Sequence, residues 1–430
     1  MSAADPKREF AVEVVRTLQD AGFRALWAGG CVRDLLLGRP PEDFDVATSA
    51  RPEEVQKLFG PKRTLAIGAS FGVILVHGPR RSPAGDVEVA TFRTEGPYLD
   101  GRRPEKVTFA TAEEDAHRRD FTINGMFYDP LLEQVFDYVG GRDDLARKIV
   151  RAIGDPLARF REDKLRMLRA VRIVARFDFD LDPHTAEAVR AMSAEILVVS
   201  HERISQELKK MLLSPRRRRA VELAQNLQLL TVILPELAPV VATGDALAGQ
   251  NRWHATLQTL ESLIDPRFEL ALAATLHEVA FDSTDSEAAG LVEQICRRLK
   301  LSNEECHDVS WLIEHRHALQ GAPTWPLHRL KRLLAERLIA ELLALARAWV
   351  TACGTESTNV AFCEDYLQTT PMHVINPPPL ISGKELHQLG LVPSPRFREL
   401  LEIVRDAQLD VVIHTREEAL ALVSKLVTGS

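Results

Sequence analysis

Residues 27–46 read WAGGCVRDLLLGRPPEDFDV, and this stretch decides how the rest of the chain is understood. Asp43 and Asp45 stand two apart on a segment, Phe44–Ala47, whose pattern predicts a strand, so their side chains share a face. Neighbouring carboxylates repel and are costly to bury unpaired; a divalent cation relieves both problems. Gly29 and Gly30 have no side chains, so their backbone N–H groups can approach a ligand closely. They precede a helix predicted over Val32–Leu37, and a helix N-terminus favours phosphate. Arg33 and Asp34 fall in its first turn. Asp-x-Asp alone is an ordinary strand end and Gly-Gly alone an ordinary turn. Together, in this order and spacing, they are the equipment of a nucleotidyl transfer site.

Working outward, Asp5-Pro6 opens an amphipathic helix with Phe10, Val14, Val15 and Leu18 on one face, and Gly22 ends it. Leu26-Trp27-Ala28 enters a short strand. Further strands are predicted at Gly72–His77, Asp86–Arg93 and Gln134–Tyr138. Between Thr94 and Lys106 the segment GPYLDGRRP reads as a flexible loop. After Gly154-Asp155-Pro156 the texture becomes helical with almost no strand signal as far as about residue 350. Ser302 with Glu305, and Thr415 with Glu418, have capping-box spacing. Asn376-Pro377-Pro378-Pro379 breaks the chain before a last helical unit. The predicted architecture is an α/β head (a small mixed β-sheet with helices) over 1–150, then an all-α neck over 151–215, body over 216–370 and tail over 371–430.

The 430 residues carry 54 Lys and Arg against 61 Asp and Glu, a net charge of −7, which excludes a uniformly basic nucleic-acid binder. Charge is local instead. Residues 142–176 hold 11 Lys and Arg against 5 acids, and Arg216, Arg217, Arg218 and Arg219 form a basic run. Such a run is usually a solvated helix face; placed here it also suits an RNA backbone. No stretch approaches the ~18–20 apolar residues of a membrane span. The first residues lack the apolar core of a signal peptide. Five cysteines, none in CxxC spacing, fit a reducing cytoplasm and neither a disulfide framework nor a structural zinc site.

Four stretches carry a resemblance: residues 27–46, RRDFTINGMFYDP (118–130), RFREDKLRMLRAVRIVARF (159–177) and SHERISQEL (200–208). In this order they resemble the class II, bacterial and eukaryotic tRNA nucleotidyltransferase and poly(A) polymerase family, over about residues 25–215. The resemblance implies a DNA polymerase beta-like nucleotidyltransferase fold for the head. It implies that Asp43 and Asp45 hold two Mg2+ ions and that Gly29, Gly30, Arg33 and Arg119 meet a triphosphate. It further implies that Arg119 and Asp120 read the ribose, with Asn124, four residues on, expected to share a helical face with Asp120. Glu88, flanked by valines, reads either as a buried-strand carboxylate helping to deprotonate the attacking hydroxyl or as a surface glutamate.

Residues 159–177 read as one helix. Asp163, Arg166, Arg169 and Arg172 recur every three residues as a polar row, with Leu165, Leu168, Val171 and Val174 as the apolar row facing the head. In the family Glu162, Asp163 and Arg166 imitate a template. The carboxylate accepts from an exocyclic amino group and the guanidinium donates to ring nitrogen or carbonyl, which selects CTP or ATP; Glu162 orients its neighbours. Arg169 and Arg172 are implied as further nucleotide contacts.

The family divides into full CCA addition, partial addition and poly(A) addition. Poly(A) polymerases tend to carry an arginine-rich stretch where this chain has Arg63–Val76, and CC-only enzymes lack the loop that here contains Asp100, Gly101, Arg102 and Arg103. Full CCA addition to the tRNA acceptor end is therefore expected, ahead of A-only addition, poly(A) addition and a noncatalytic RNA-binding protein on the same scaffold. Lys384, Arg396 and Arg398 are candidate tRNA contacts in the tail. His254 and His277-Glu278 faintly resemble a metal phosphohydrolase pattern but read as packed helix histidines.

Overall fold

Helix α1 (Pro6–Asp20) begins where Asp5-Pro6 predicts. The Asp5 carboxylate accepts from the Lys7 N–H at 3.0 Å, and proline occupies the first turn, where no N–H is needed. Its apolar face, Phe10, Val14, Val15 and Leu18, is buried against the sheet with Trp27, Val46, Ile74, Val76 and Val89. Each such side chain contributes about 1.5–3 kcal/mol relative to leaving it in water.

This computed structural model describes residues 5–68, 72–79, 83–95, 107–242, 251–389, 391–392 and 394–428. The chain divides into two compact units, Met1–Pro235 and Glu236–Ser430. In the first, β1 (Ala25–Ala28), α2 (Gly30–Leu36), β2 (Asp45–Thr48), α3 (Pro52–Phe59), β3 (Thr64–Gly68), β4 (Val73–His77) and β5 (Asp86–Thr91) are followed by the small β6 (Arg93–Glu95) and β7 (Val107–Phe109) pair. Then come α4 (Ala112–His117), β8 (Phe127–Asp129), β9 (Gln134–Phe136) and α5 (Gly141–Arg147). Among the described residues the main sheet has seven strands in the order β3-β4-β5-β2-β1-β8-β9, and its β2–β5 pair is parallel, opposing Asp45 and Glu88.

Two strands of this sheet, β3 and β8, are not visible in the sequence pattern. Strand β3 is an edge strand with Leu65 and Ile67 exposed, and β8 has three residues, too few to show a period. Strand β2 begins at Asp45, so Asp43 precedes it in the loop, and the expectation that strand alternation aligns the two carboxylates is corrected.

The neck departs more. The helix expected over 159–177 is two helices, α6 (Pro156–Glu162) and α7 (Leu165–Phe177), broken at Asp163 in extended backbone (φ −143°, ψ 105°). Asp163 Oδ1 accepts from the Leu165 N–H at 3.0 Å, so this aspartate caps the helix it was expected to lie within. Leu165, Leu168, Val171 and Val174 are all buried, and α7 enters the head's core through Ala170, Ile173, Val174 and Phe177. Helices α8 (Pro183–Met192), α9 (His201–Leu212) and α10 (Arg217–Asn226) follow.

The second unit is helical among its described residues. The capping boxes at Ser302 with Glu305 and at Thr415 with Glu418 form as spaced, and the helix Met372–Ile375 stops at the proline run. The helices Gly383–Gln388, Pro395–Leu409 and Arg416–Thr428 close a small core of Leu386, Leu400, Val404, Ala419 and Val423. No helix among the described residues is long and apolar enough to cross a membrane.

Candidate active site

The first unit contains a cavity of about 580 Å3 lined by Gly29, Gly30, Arg33, Asp45, Arg119, Asp120, Asn124, Asp163, Arg166, Arg169 and Arg172, residues drawn from three separate stretches of sequence. Arg93, Arg118, Arg176 and Arg203 complete a lining, among the described residues, of nine arginines against three aspartates. Such a surface concentrates polyanions however acidic the whole chain is.

Gly29 joins β1 to α2 at φ 75° and ψ −130°, backbone that a side chain resists. A Cβ there would stand 3.1 Å from Arg119 Nη1. Replacing Gly29 with alanine is expected to cost about 1–3 kcal/mol through this combined strain; thermal unfolding of the variant tests it, and an unchanged transition would refute it. The Gly29 N–H donates to the Met126 carbonyl at 3.3 Å, so the expectation that both glycine amides serve a ligand is corrected. Gly30, at the first helical position, keeps an amide without a helical acceptor. With only seven residues in α2 the dipole is short, and positive charge comes chiefly from side chains.

Those side chains are braced. Arg119 donates through Nε and Nη2 to Asp115 Oδ2 (3.1 and 2.9 Å), and Arg118 donates to Asp115 Oδ1 at 2.8 Å. Burial alone would raise the Asp115 pKa; the two arginine charges outweigh it and hold it below its ordinary value. Arg33 Nη1 donates to Asn124 Oδ1 (2.7 Å), Asn124 Nδ2 to Asp120 Oδ1 (3.1 Å), and Arg169 to Asp120 Oδ2 (2.9 and 2.6 Å). Asn124 reaches Asp120 from a 3-10 turn, Thr122–Asn124, rather than along the expected α-helical face. Both Asp120 oxygens accept from protein donors. Burial pushes the Asp120 pKa up, but the Arg169 charge, the Asn124 bond and the Arg166 charge overcome it and hold it far below the carboxylate range.

Beside Asp45, Glu88 is exposed rather than buried, because the valines on either side take the core-facing positions of β5. Asp43 is exposed and 3.5 Å from Lys7 Nζ. Asp45 opens on the cavity, yet the protein packed around it and the Glu88 charge, opposed by Arg119 and aided by Asp43, push its pKa up to about 6. This acidic group is therefore short of positive charge. Its donors are all oxygens, the set a hard divalent cation takes.

At the break between α6 and α7, Asp163 Oδ2 accepts from Arg203 Nη2 at 2.7 Å. Arg166 donates to Glu162 Oε2 (2.5 Å) and to the Arg118 carbonyl (3.2 Å). Glu162 thus touches the pair through Arg166. Arg172 Nε lies 2.7 Å from Glu207 Oε2. Arg203 and Glu207 went unrecognised as individual residues although both lie in SHERISQEL; Arg118 stood next to a named residue, and Arg176 follows the row's helical spacing with one step of four.

Several expected residues lie elsewhere. The loop residues Asp100, Gly101, Arg102 and Arg103 lie outside the described residues. The basic run is not an open face. Arg217 is buried and donates to the Leu212 carbonyl, and Arg216 and Arg219 pair with Asp178. Lys384, Arg396 and Arg398 are exposed in the second unit. There, His277 is buried, stacked on Trp349 with centroids 4.2 Å apart and 3.1 Å from Glu278. His254 is exposed, which corrects the reading of it as packed. No metal-binding cluster of three or more His, Cys, Asp or Glu occurs among the described residues.

The sheet, with its acid pair set beside an arginine-lined cavity, defines the class: the nucleotidyltransferases. Residues 25–151 match the Poly A polymerase head domain, and residues 178–240 match the probable RNA and SrmB-binding site of polymerase A. The CCA-adding enzyme of Lactobacillus helveticus is 44% identical over 220 residues, 51% of this chain and 53% of that one, so this match spans about half its length. The CCA-adding enzyme of Lactiplantibacillus plantarum is 31% identical over 429 residues, 98% of this chain and 96% of that one. The crystal structure of the Bacillus stearothermophilus CCA-adding enzyme in complex with CTP matches with a TM-score of 0.75 and 27% identity, covering 99% of each chain. The chain belongs to the poly(A) polymerase family, with the bacterial CCA-adding enzymes.

Proposed function

We propose that this chain is a Mg2+-dependent tRNA nucleotidyltransferase that adds CCA to tRNA 3′ ends from CTP and ATP without a nucleic-acid template. The observation that carries the reading is one cavity in which Asp45, paired across the sheet with Glu88, meets Asp163 and Arg166 along the arginines of α7. Asp43 and Asp45 would hold two Mg2+ ions, since both offer carboxylate oxygens, the donors a hard divalent cation takes. When bound, the metal supplies Lewis acidity that eases ionisation of the 3′-hydroxyl and stabilises the leaving group.

The residues do the rest. Glu88 accepts the proton of the 3′-hydroxyl, directly or through water; the hydroxyl oxygen bonds to the α-phosphorus, and the α–β bridging oxygen departs with its electron pair as pyrophosphate. Gly30, Arg33, Arg119, Arg169 and Arg172 bind the triphosphate, and Asp120 and Asn124 position Arg169 and Arg33. Arg203, bonded to Asp163 Oδ2, orients that carboxylate as the acceptor for the amino group of C or A, while Arg166, steadied by Glu162, donates to the ring. UTP and GTP present a carbonyl where Asp163 requires a donor. The helical second unit would grip the acceptor end of tRNA, with Lys384 and Arg396 as contacts. We place the reaction in the cytoplasm, in keeping with five free cysteines.

Asp163→Ala is expected to narrow the preference for CTP over UTP at least about ten-fold, the 1–3 kcal/mol that one base contact discriminates. Single-turnover incorporation of each nucleotide measures it, and unchanged selectivity would make Asp163 a helix cap only. The whole reading is tested by incorporation with Mg2+, CTP and ATP on a tRNA lacking CCA, the same tRNA ending in CC, and an unstructured RNA. Three residues added to the first and one to the second support it. Extension of the CC-ending tRNA alone identifies an A-adding enzyme, and long A tails on the unstructured RNA identify a poly(A) polymerase.

A further inference from the structure

Toward the C-terminal end of α7, three guanidinium groups converge on one aromatic ring. Arg33, Arg39 and Arg176 lie 4.2, 5.2 and 5.5 Å from the centroid of Phe177, a cation–π arrangement in which the cations also repel one another. Arg33 is committed to Asp34 and Asn124. Arg176 lines the cavity and donates to Glu42 at 2.6 Å; Glu42 immediately precedes Asp43. This pair is open to water, with side chains 39% and 74% exposed, so it is screened and readily broken. Burial lowers the pKa of Arg33 and of Arg172, and the Arg176 charge adds to the effect in both. The cluster favours an anion of higher charge than one carboxylate.

Its position says which anion. Arg166 and Arg176 are ten residues apart on α7, a rise of about 15 Å. A nucleotide whose base is read at Asp163 and Arg166 lays its outer phosphates toward Arg172 and Arg176.

We propose that Arg176, over Phe177, clamps the β- and γ-phosphates and then the departing pyrophosphate, and that Glu42 competes for the same guanidinium and so promotes release. The proposal deepens the nucleotidyltransferase reading and rests on it. Phosphate oxygens accept two parallel bonds from a guanidinium and displace the screened Glu42 contact. Once the anion dissociates, Glu42 recaptures Arg176 and the cavity returns to the arrangement seen here.

The test follows CTP incorporation into a tRNA lacking CCA, in Mg2+, against increasing inorganic pyrophosphate, using the full chain and its Arg176→Gln, Arg176→Lys and Glu42→Gln variants. The inhibition constant for pyrophosphate should rise about ten-fold in Arg176→Gln, as for the loss of one charged hydrogen bond. It should recover in part in Arg176→Lys and fall in Glu42→Gln, with base choice unchanged throughout. An inhibition constant unchanged in Arg176→Gln overturns the clamp, and so does an equal rise in Arg176→Lys, which would show lost packing over Phe177 instead. No change in Glu42→Gln overturns the competition. A wild-type chain that binds no CTP by calorimetry overturns the underlying reading and the clamp with it; normal CTP incorporation with insensitive variants overturns the clamp alone.

Discussion

Asp45→Asn is expected to lower incorporation of CTP and ATP roughly 10³-fold or more while leaving the fold intact. The substitution keeps the shape and removes one charge from a site where Asp45 and Glu88 face each other across β2 and β5. Losing one group that organises transition-state charge typically costs about 10²–10³-fold, and on the proposed mechanism the same change removes a metal ligand as well. The fold should not suffer. Asp45 is exposed, and its pKa, raised to about 6 by surrounding protein and by Glu88, shows that its charge is held at a cost. Thermal unfolding should therefore match wild type or rise slightly. Asp43→Ala should behave alike, since Asp43 lies in the exposed loop before β2. A variant keeping more than a tenth of wild-type incorporation would remove Asp45 from the metal site.

Asp120→Ala should have the largest effect on stability. Asp120 is buried, and its two oxygens accept from Arg169, Asn124 and the Phe121 N–H. Truncation strands the Arg169 guanidinium and frees the Asn124 amide that helps to hold Arg33. Removing one partner of such a pair costs about 3–5 kcal/mol, which for a unit of this size lowers its unfolding transition by roughly 10 °C. The acid dependence has a definite sign. The folded pKa of Asp120 lies below its unfolded value of about 4. Its stabilisation is therefore complete above pH ~4 and is lost as pH falls through the lower, folded value. The variant should lack that part of the acid limb. A loss under 1 kcal/mol at neutral pH, by denaturant titration, would show that the Arg33–Asn124–Asp120–Arg169 chain is not what organises the cavity.

Where physics is local, the sequence was legible. Asp5-Pro6 starting α1, the Ser302 and Thr415 capping boxes and the proline stop after residue 376 each depend on a few adjacent residues. The strand around Val73–His77 showed itself by its bounded apolar run. It was the hydrogen-bonded pairing of neighbouring strands that turned TLAIG and FYD into β3 and β8; neither segment declares itself alone. Residues 159–177 were misread because helical spacing persists on both sides of Asp163, while the break depends on the bonds from Arg203 and the Leu165 amide. The basic run at 216–219 was readable as charge but not as occupancy, since Asp178 and the Leu212 carbonyl, which engage it, are not its immediate neighbours.

By itself the sequence determined the kind of chemistry. Paired aspartates, Gly-Gly, Arg119-Asp120 and the arginines spaced along 163–172 carry their reactivity in their residue types and their short separations. Only the tertiary structure decided how these groups are arranged. It placed Glu88 opposite Asp45 through a parallel strand pair 43 positions apart, tied Arg33 to Arg169 through Asn124 and Asp120, made Asp163 the cap of α7 and brought Arg203 to its carboxylate. The physical reason is range: propensity and capping act within a turn or two, whereas the charge balance of the cavity is set by whichever distant side chains folding brings within hydrogen-bonding distance.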